Sequence, residues 1–234
     1  MTLLIGGIRG DEPATVFLLE SFWRKYGALL GLPVVVLPLA NPDGFSRNTR
    51  YNANGVDLNR NFDFNWDTNS EEPSGPEPWS EPESRALRDF ILRAKPARIV
   101  SLHWALAEID SDGPQSTDLA LSMWEVLDES ERRPYRVRVF QPELEKDPDF
   151  CDICPGSLGQ WCGYGLQGQY GSEPPSMITL ELPYDPLAPE RPTPLPPGHL
   201  DHLKERWKKD PRGYLESVEM GVHRMLLAAC GECD

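Results

Sequence analysis

The sequence predicts a three-layer α/β fold with its chemistry at one edge of the sheet. Apolar runs typical of buried strands alternate with amphipathic stretches typical of helices. Polar residues follow directly after several of the apolar runs, and α/β sheets bind ligands beyond the carboxyl ends of their strands. A chain of 234 residues can form one large domain, so we expect a single domain over residues 1–234.

The N-terminal part supplies two strands and one helix. The run "TLLIGG" predicts a buried strand that ends in glycines, and an amphipathic helix is expected from about Pro13 to Leu30, with proline in its first turn. The block "PVVVLPL" predicts a second strand. Because it is continuously apolar and β-branched, we expect an interior position in the sheet.

The rest of the chain continues the alternation after a long predicted loop from Ala40 to Ser80. The helix "PESRALRDFILRA" follows, with Ser80 as its expected N-cap. Three further strands are predicted from "ARIVSLHW", "YRVRVF" and "SMITLELP". The C-terminal segment, about 199–229, reads as helical with an interruption near "KKDPRG".

Charge and hydropathy exclude several classes of function. The net charge is −14, which argues against a nucleic-acid surface, since phosphate binding needs clustered lysine and arginine. No apolar stretch approaches the roughly 20 residues that span a bilayer. No basic region followed by an apolar core and a cleavage site is visible at the N-terminus, so a cytoplasmic protein is expected.

The polar residues at the strand ends suit metal-assisted hydrolysis. Glu12 follows the first strand, His103 ends "IVSLH" and Glu181 ends "MITLE", while the arginine-rich loop "RNTRYNANGVDLNRNF" follows the second strand. Glu12 and His103 could bind Zn²⁺, and Glu181 could deprotonate a water. Arg60 could form a bidentate fork on a substrate carboxylate. Taken without its neighbours, His103 is more readily explained as a satisfied buried histidine than as a ligand.

Several motifs together give the chain its resemblance to a known family. They are "GGIRGDEP", "NPDG", "RNTRYNANGVDLNRNF", "SEPESRALRDFI", "SLHW", "PGSLGQW" and "ITLELP". In this order they resemble the zinc carboxypeptidases, and most of all the short bacterial branch that includes murein-peptide amidases. The resemblance runs from about Leu3 to Asp185. It implies one α/β/α domain around a central mixed, largely parallel sheet, and removal of C-terminal residues from peptides.

The resemblance also implies a role for individual residues. Glu12 and His103 match zinc ligands, Glu181 matches the general base, and Asp57 matches the aspartate that orients the first histidine ligand. The groups that contact substrate match Asn59 and Arg60 for the terminal carboxylate, Arg47 or else Arg50 for the scissile carbonyl, and Tyr164 or Tyr170 for the mobile tyrosine. The implied partner is a peptide or peptide-like substrate with a free carboxylate.

Arg9 departs from the family pattern. The family's first metal motif is His-x-x-Glu, and here it reads Arg9-Gly10-Asp11-Glu12. A guanidinium is cationic at ordinary pH and repels a divalent metal. An inward Arg9 could pair with Glu12 and Asp57 in the metal's place. Two hypotheses stay open: a zinc-dependent carboxypeptidase or amidase with an altered metal site, and an inactive relative that binds carboxylate-terminated peptides or a protein partner.

The cysteines raise the separate possibility of a structural zinc site. Five are present, and four of them form two CxxC pairs, at Cys151 with Cys154 and at Cys230 with Cys233. Two such pairs can build a tetrahedral zinc site. The alternatives are independent reduced thiols or a disulfide within a pair. The family resemblance does not imply this site.

Overall fold

A computed structural model describes residues 1–31, 33–139, 154–170, 173–188 and 192–231. Within these ranges six strands form one mixed sheet in the order β2-β1-β3-β6-β4-β5. Strands β1, β2, β3 and β6 are parallel, whereas β4 runs antiparallel to β6 and parallel to β5. The strands are β1 Thr2–Ile5, β2 Val34–Leu37, β3 Arg98–Trp104, β4 Glu108–Asp112, β5 Arg136–Arg138 and β6 Ser176–Leu182.

Helices cover both faces of this sheet. The α-helices are α1 Pro13–Tyr26, α2 Pro42–Arg47, α3 Pro82–Ala94, α4 Thr117–Glu125, α5 Glu129–Arg132, α6 Leu158–Gln160, α7 His199–Lys209 and α8 Pro211–Cys230. Short 3₁₀ turns lie at Leu58–Arg60 and Pro114–Ser116, and a π-helical turn lies at Trp161–Gly165. The predicted three-layer α/β/α architecture is confirmed.

Strand alternation divides the core into two layers. Leu4, Val100 and Leu180 point to one face, where they pack with α1, α4 and α8. Leu3 and Ile99 point to the other face and pack with α3 and the segment around α6. Because successive side chains alternate across a strand, the odd-numbered residues of β3 and β6 share this second face. That face carries the polar side chains described below.

Four expectations about local structure need correction. The first helix ends at Tyr26 rather than Leu30, and the predicted loop after Ala40 contains α2 and a 3₁₀ turn. The N-cap position of α3 is Glu81, and Ser80 instead donates to the Glu81 carboxylate at 2.7 Å. Strand β2 is an edge strand rather than an interior one, and its apolar side chains are all partly exposed.

The C-terminal segment matches the prediction closely. Helix α7 ends at Lys209 and α8 begins at Pro211, with the interruption at Asp210, whose side chain accepts from the Gly213 amide at 2.8 Å. Proline at the first position of α8 suits the start of a new helix, because the backbone N–H that proline lacks would have no hydrogen-bond partner there. No helix in the described ranges is long and apolar enough to cross a membrane.

Candidate active-site cleft

The loop after β1 places Arg9 and Glu12 at the carboxyl edge of the sheet. Its backbone is fixed locally: the Thr15 hydroxyl donates to the Glu12 carbonyl at 2.7 Å and accepts from the Gly7 amide at 3.0 Å. Gly10 packs so tightly that a Cβ there would lie 1.9 Å from the backbone of Gly44. The loop therefore has little freedom to turn Arg9 outward.

Arg9 is buried and occupies the centre of the cleft. Its side chain forms ion pairs with Glu12 (Nη1 to Oε1, 3.3 Å) and with Asp57 (Nε to Oδ2, 3.4 Å). Burial alone would lower the pKa of Arg9, but Asp57, Glu12 and Glu181 outweigh it and raise that pKa. The guanidinium is therefore a permanent cation held between carboxylates.

Glu12 and His103 face each other beside this cation. The distance from His103 Nδ1 to Glu12 Oε2 is 3.4 Å, and neither atom has a hydrogen-bond partner among the described residues. The other ring nitrogen of His103 lies 3.1 Å from the Ser101 hydroxyl. Arg9 and His103 act against burial to lower the pKa of Glu12, so this carboxyl is ionised at neutral pH.

Asp57 connects the cation to the substrate-facing loop. It is completely buried, pairs with Arg50 at 2.8 Å as well as with Arg9, and accepts from the Asn59 amide at 3.0 Å. The last bond caps the 3₁₀ turn that carries Asn59 and Arg60. Against the effect of burial, Arg9, Arg50 and Arg60 lower the pKa of Asp57. Asp57 thus contacts Arg9. The family resemblance predicted that this aspartate would contact a histidine ligand instead.

Asn59 and Arg60 line a cavity of about 260 Å³ next to Arg9. The Asn59 side-chain oxygen accepts from the Leu158 amide at 2.9 Å, which leaves its Nδ2 donors for a ligand. Arg60 donates to the Asn59 carbonyl at 2.7 Å, and no carboxylate of the described residues forms an ion pair with it. Burial and the nearby Arg9 lower the pKa of Arg60 to about 10, an environment that favours an added anion.

Glu181 lies in the same cavity, in register with His103 on the neighbouring strand. Its carboxylate accepts from the Leu106 amide at 3.3 Å. Burial raises the pKa of Glu181 to about 7, with Glu12 acting in the same direction and His103 against it. A carboxyl with this pKa can exchange a proton near neutral pH, as a general base must.

The sequence left two pairs of alternatives open, Arg47 or Arg50 and Tyr164 or Tyr170, and the structure gives the position of each. Arg50 lines the cavity, whereas Arg47 is exposed at the end of α2 and does not line it. Tyr170 donates to the Pro96 carbonyl at 2.7 Å, before the start of β3 and thus at the opposite edge of the sheet. Tyr164 stacks on Phe64 with ring centroids 6.1 Å apart. Neither tyrosine lines the cavity within the described residues.

The four-cysteine zinc site is not supported. Cys151 and Cys233 lie outside the described residues. Cys154 is disulfide-bonded, a state in which its sulfur is not a thiolate ligand, and Cys230 is buried at the end of α8. Within the described ranges no group of three or more His, Cys, Asp or Glu side chains could hold a metal ion.

One set of cleft residues was not predicted from the sequence. Glu108, Asp110 and Asp112 of β4 line the same cavity as Arg60. Their strand pairs with β6 so that Glu108 opposes Glu181 and Asp110 opposes Thr179. The alternating acids in "EIDSD" were the available signal, because residues two apart on a strand share a face.

A catalytic zinc does not fit the donor set of this cleft. Such a site usually has three protein ligands with an open fourth position. Here the unpartnered atoms of Glu12 and His103 could provide two, but the place of the third is taken by the Arg9 guanidinium. The cleft combines the guanidinium groups of Arg9, Arg50 and Arg60 with Glu181, a carboxyl of raised pKa, at the carboxyl edge of an α/β/α sheet. These are features of the peptidase- or amidase-type hydrolases.

Comparisons with known proteins specify the family. The zinc carboxypeptidase family model matches residues 28–106. Murein peptide amidase A of Escherichia coli K12 is 35% identical over 175 residues, 68% of this chain and 65% of that protein. Its counterpart in Vibrio campbellii is 30% identical over 196 residues, 77% of this chain and 68% of that protein. The chain belongs to the zinc carboxypeptidase family, whose members found here are peptidases and amidases.

Solved structures agree with this assignment. The crystal structure of a murein-tripeptide amidase from Escherichia coli O157 matches 94% of this chain and 80% of its own, with a TM-score of 0.57 and 25% identity. A carboxypeptidase A from Helicoverpa armigera matches 98% of this chain and 61% of its own, with a TM-score of 0.63 and 21% identity. The second likeness concerns the fold alone. The chain spans about two thirds of the length of the Escherichia coli K12 relative.

Proposed function

We propose that this chain binds peptide-like molecules through their free terminal carboxylate, in a family cleft whose catalytic metal has been replaced by Arg9. The observation that carries the proposal is the state of Arg60: a partly buried cation that lines the cavity beside the Asn59 donors, without an ion-pair partner among the described residues. A ligand carboxylate supplies the missing anion and can accept two parallel hydrogen bonds from a guanidinium.

Arg9 contributes the structural support that a metal would otherwise provide. It compensates the buried carboxylates of Glu12 and Asp57, and Asp57 in turn caps the turn that presents Asn59 and Arg60. Replacing a divalent ion by a single positive charge keeps these carboxylates paired. It removes the means of activating a water, so Glu181 has no nucleophile to generate in this state.

Peptide or amide hydrolysis is the second candidate function. It is favoured by one observation, the unpartnered Glu12 Oε2 and His103 Nδ1 that face each other at 3.4 Å. This pair would serve as metal ligands if a third donor were available. The retained Glu181 and Arg50 would then act as base and as hydrogen-bond donor to the scissile carbonyl.

Metal content separates the two functions. The natural protein and Arg9→His are purified without added metal, supplied with zinc, and analysed for zinc per chain. We expect no zinc in the cleft of the natural protein and about one additional zinc per chain in Arg9→His, because the third ligand is restored. The control is the double variant Arg9→His with His103→Ala, which loses the gained zinc but keeps any zinc bound elsewhere.

Ligand binding tests the proposed function directly. A peptide with a free C-terminal carboxylate is expected to bind the natural protein, and its C-terminal amide is not. Arg60→Met is expected to abolish the difference in affinity between the two peptides, because it removes the guanidinium that donates hydrogen bonds to the carboxylate. Zinc in the natural protein that disappears with His103→Ala, together with cleavage of the peptide, would instead establish the hydrolase.

A further inference from the structure

Strand β2 forms one edge of the sheet, and no described strand lies along its outer side. On its inner side, the Leu37 carbonyl accepts from the Gly6 amide at 2.9 Å. Because backbone groups alternate in direction along a strand, Val34 and Val36 point their N–H and C=O groups outward. The outer side of β2 therefore offers hydrogen-bonding groups with which another strand can pair.

The two edge strands of the sheet differ in their protection against pairing. Strand β5, at the opposite edge, contains Arg136 and Arg138. Charged side chains on an edge strand oppose its pairing with another chain. Strand β2 reads "VVVL", contains no charge, and all of its side chains are partly exposed. The β2 edge thus lacks the protection that is present at β5.

Apolar cavities lie along both faces of the β2 edge. The cavity on the α3 side has a volume of about 450 Å³, and the one on the α1 side has a volume of about 720 Å³. Phe90 of α3 lines the first, and Trp23 of α1, which is 48% exposed, lines the second. A strand added at this edge directs alternate side chains into the two cavities, so it must be apolar on both faces. Strand β2 itself has this pattern.

Antiparallel pairing of two copies of β2 satisfies the outward backbone groups. A two-fold axis at Val35 places Val34 of one copy opposite Val36 of the other, and such a pair exchanges N–H to C=O hydrogen bonds in both directions. The strand is bounded by Pro33 and Pro38, which have no N–H to donate, so pairing is confined to this stretch. The register is therefore set by the sequence of β2 and its flanks.

Helix α1 carries charges that are complementary under the same symmetry. Glu20 and Arg24 are exposed, line the cavity beside Val34–Val36, and form no ion pair with a described residue. An axis at Val35 makes the α1 helices of the two copies antiparallel. Glu20 of one copy then faces Arg24 of the other, with Trp23 between the two charge pairs.

We propose that two copies of this chain associate through antiparallel pairing of β2, which joins their sheets into one. The occupant of the β2 edge is the same edge of a second copy. The two α1 helices close the cavity on one face of the joined sheet, and the two α3 helices close the cavity on the other. The inference is independent of the proposed function, because no described residue lines both the cleft cavity and a cavity beside β2.

Sedimentation equilibrium of the full natural chain at micromolar concentration measures its mass in solution, and the mass of a dimer is expected. Glu20→Arg and Arg24→Glu each place like charges across the axis, so each variant alone is expected to associate at least about tenfold more weakly. An equimolar mixture of the two variants is expected to form a heterodimer, because every arginine then faces a glutamate. Glu129→Arg makes the same charge change at an exposed position of α5 and should leave the dimer unchanged.

Removal of a backbone donor provides a second test that leaves the charges unchanged. Val36→Pro deletes an outward N–H that does not pair with β1, so the chain should keep its circular dichroism spectrum and lose the dimer. The charge variants retain the test if Val36→Pro does not fold. A natural chain that is monomeric at every concentration would overturn the inference and leave the edge to a partner of another sequence. A dimer that survives Val36→Pro, or one that neither charge reversal weakens, would also overturn it.

Discussion

Removing the charge of Arg9 is expected to destabilise the fold substantially, even though the residue lies in the cleft. Arg9→Met keeps much of the side-chain volume but leaves Glu12 and Asp57 without their shared cation. Removing one partner of a buried ion pair costs about 3–5 kcal/mol. Because Asp57 keeps Arg50 at 2.8 Å, we expect the lower end of that range, about 3 kcal/mol.

Equilibrium unfolding in urea at pH 7 measures this loss. The urea concentration at the midpoint of unfolding should fall. The slope of the free energy of unfolding against urea concentration should stay the same, since the surface exposed on unfolding does not change. The control is Arg47→Met, which removes the same charge at an exposed position and should alter stability by no more than about 0.5 kcal/mol. A loss below about 1 kcal/mol for Arg9→Met, with an unchanged slope, would refute the claim that Arg9 compensates the buried carboxylates.

Three further predictions concern stability. Burial lowers the pKa of His223 below its ordinary 6.5, so the unfolded chain binds a proton at this residue more tightly than the folded chain does. The free energy of unfolding should therefore decrease as the pH falls below 6.5. His223→Gln should make the melting temperature less dependent on pH in this range. Tyr214→Phe should cost about 1–3 kcal/mol in urea unfolding, because the buried Trp104 indole N–H loses its acceptor at 2.7 Å, and a negligible cost would contradict this. Gly10→Ala should lower the melting temperature and weaken peptide binding together, since its Cβ would lie 1.9 Å from the backbone of Gly44; an unchanged melting temperature would show that the loop can yield.

The exchange of a metal ligand for arginine has consequences beyond the loss of a donor. Arg9 adds a guanidinium to a cavity that is also lined by Arg50, Arg60 and Arg138, and burial together with Arg9 lowers the pKa of Arg60. The positive potential of the cleft therefore persists without a bound metal. The proposed binding of a carboxylate depends on this persistence.

The strand periodicity and the strand-end polar residues predicted the α/β/α architecture but not strand β4. Buried strands, a helix starting at proline, and the break at Asp210 all follow from local residue patterns, which are read along the chain. The edge position of β2 was not predictable in this way. A strand with apolar side chains on both faces reads as interior, and only the strand order shows that one side of it has no neighbour among the described strands.

In the cleft, too, some features follow from the sequence and others only from the tertiary structure. The family resemblance implied that Arg9 stands where the family has a metal ligand. The sequence by itself predicted that Glu12, His103, Glu181 and the arginine-rich loop lie at one edge, because parallel strands end together. The tertiary structure alone decided that Arg9 points inward, and that Arg50 rather than Arg47 faces the cavity. It also decided that β4 contributes its acids there. Side-chain direction and the pairing of distant strands depend on packing between segments far apart in sequence, which no local pattern encodes.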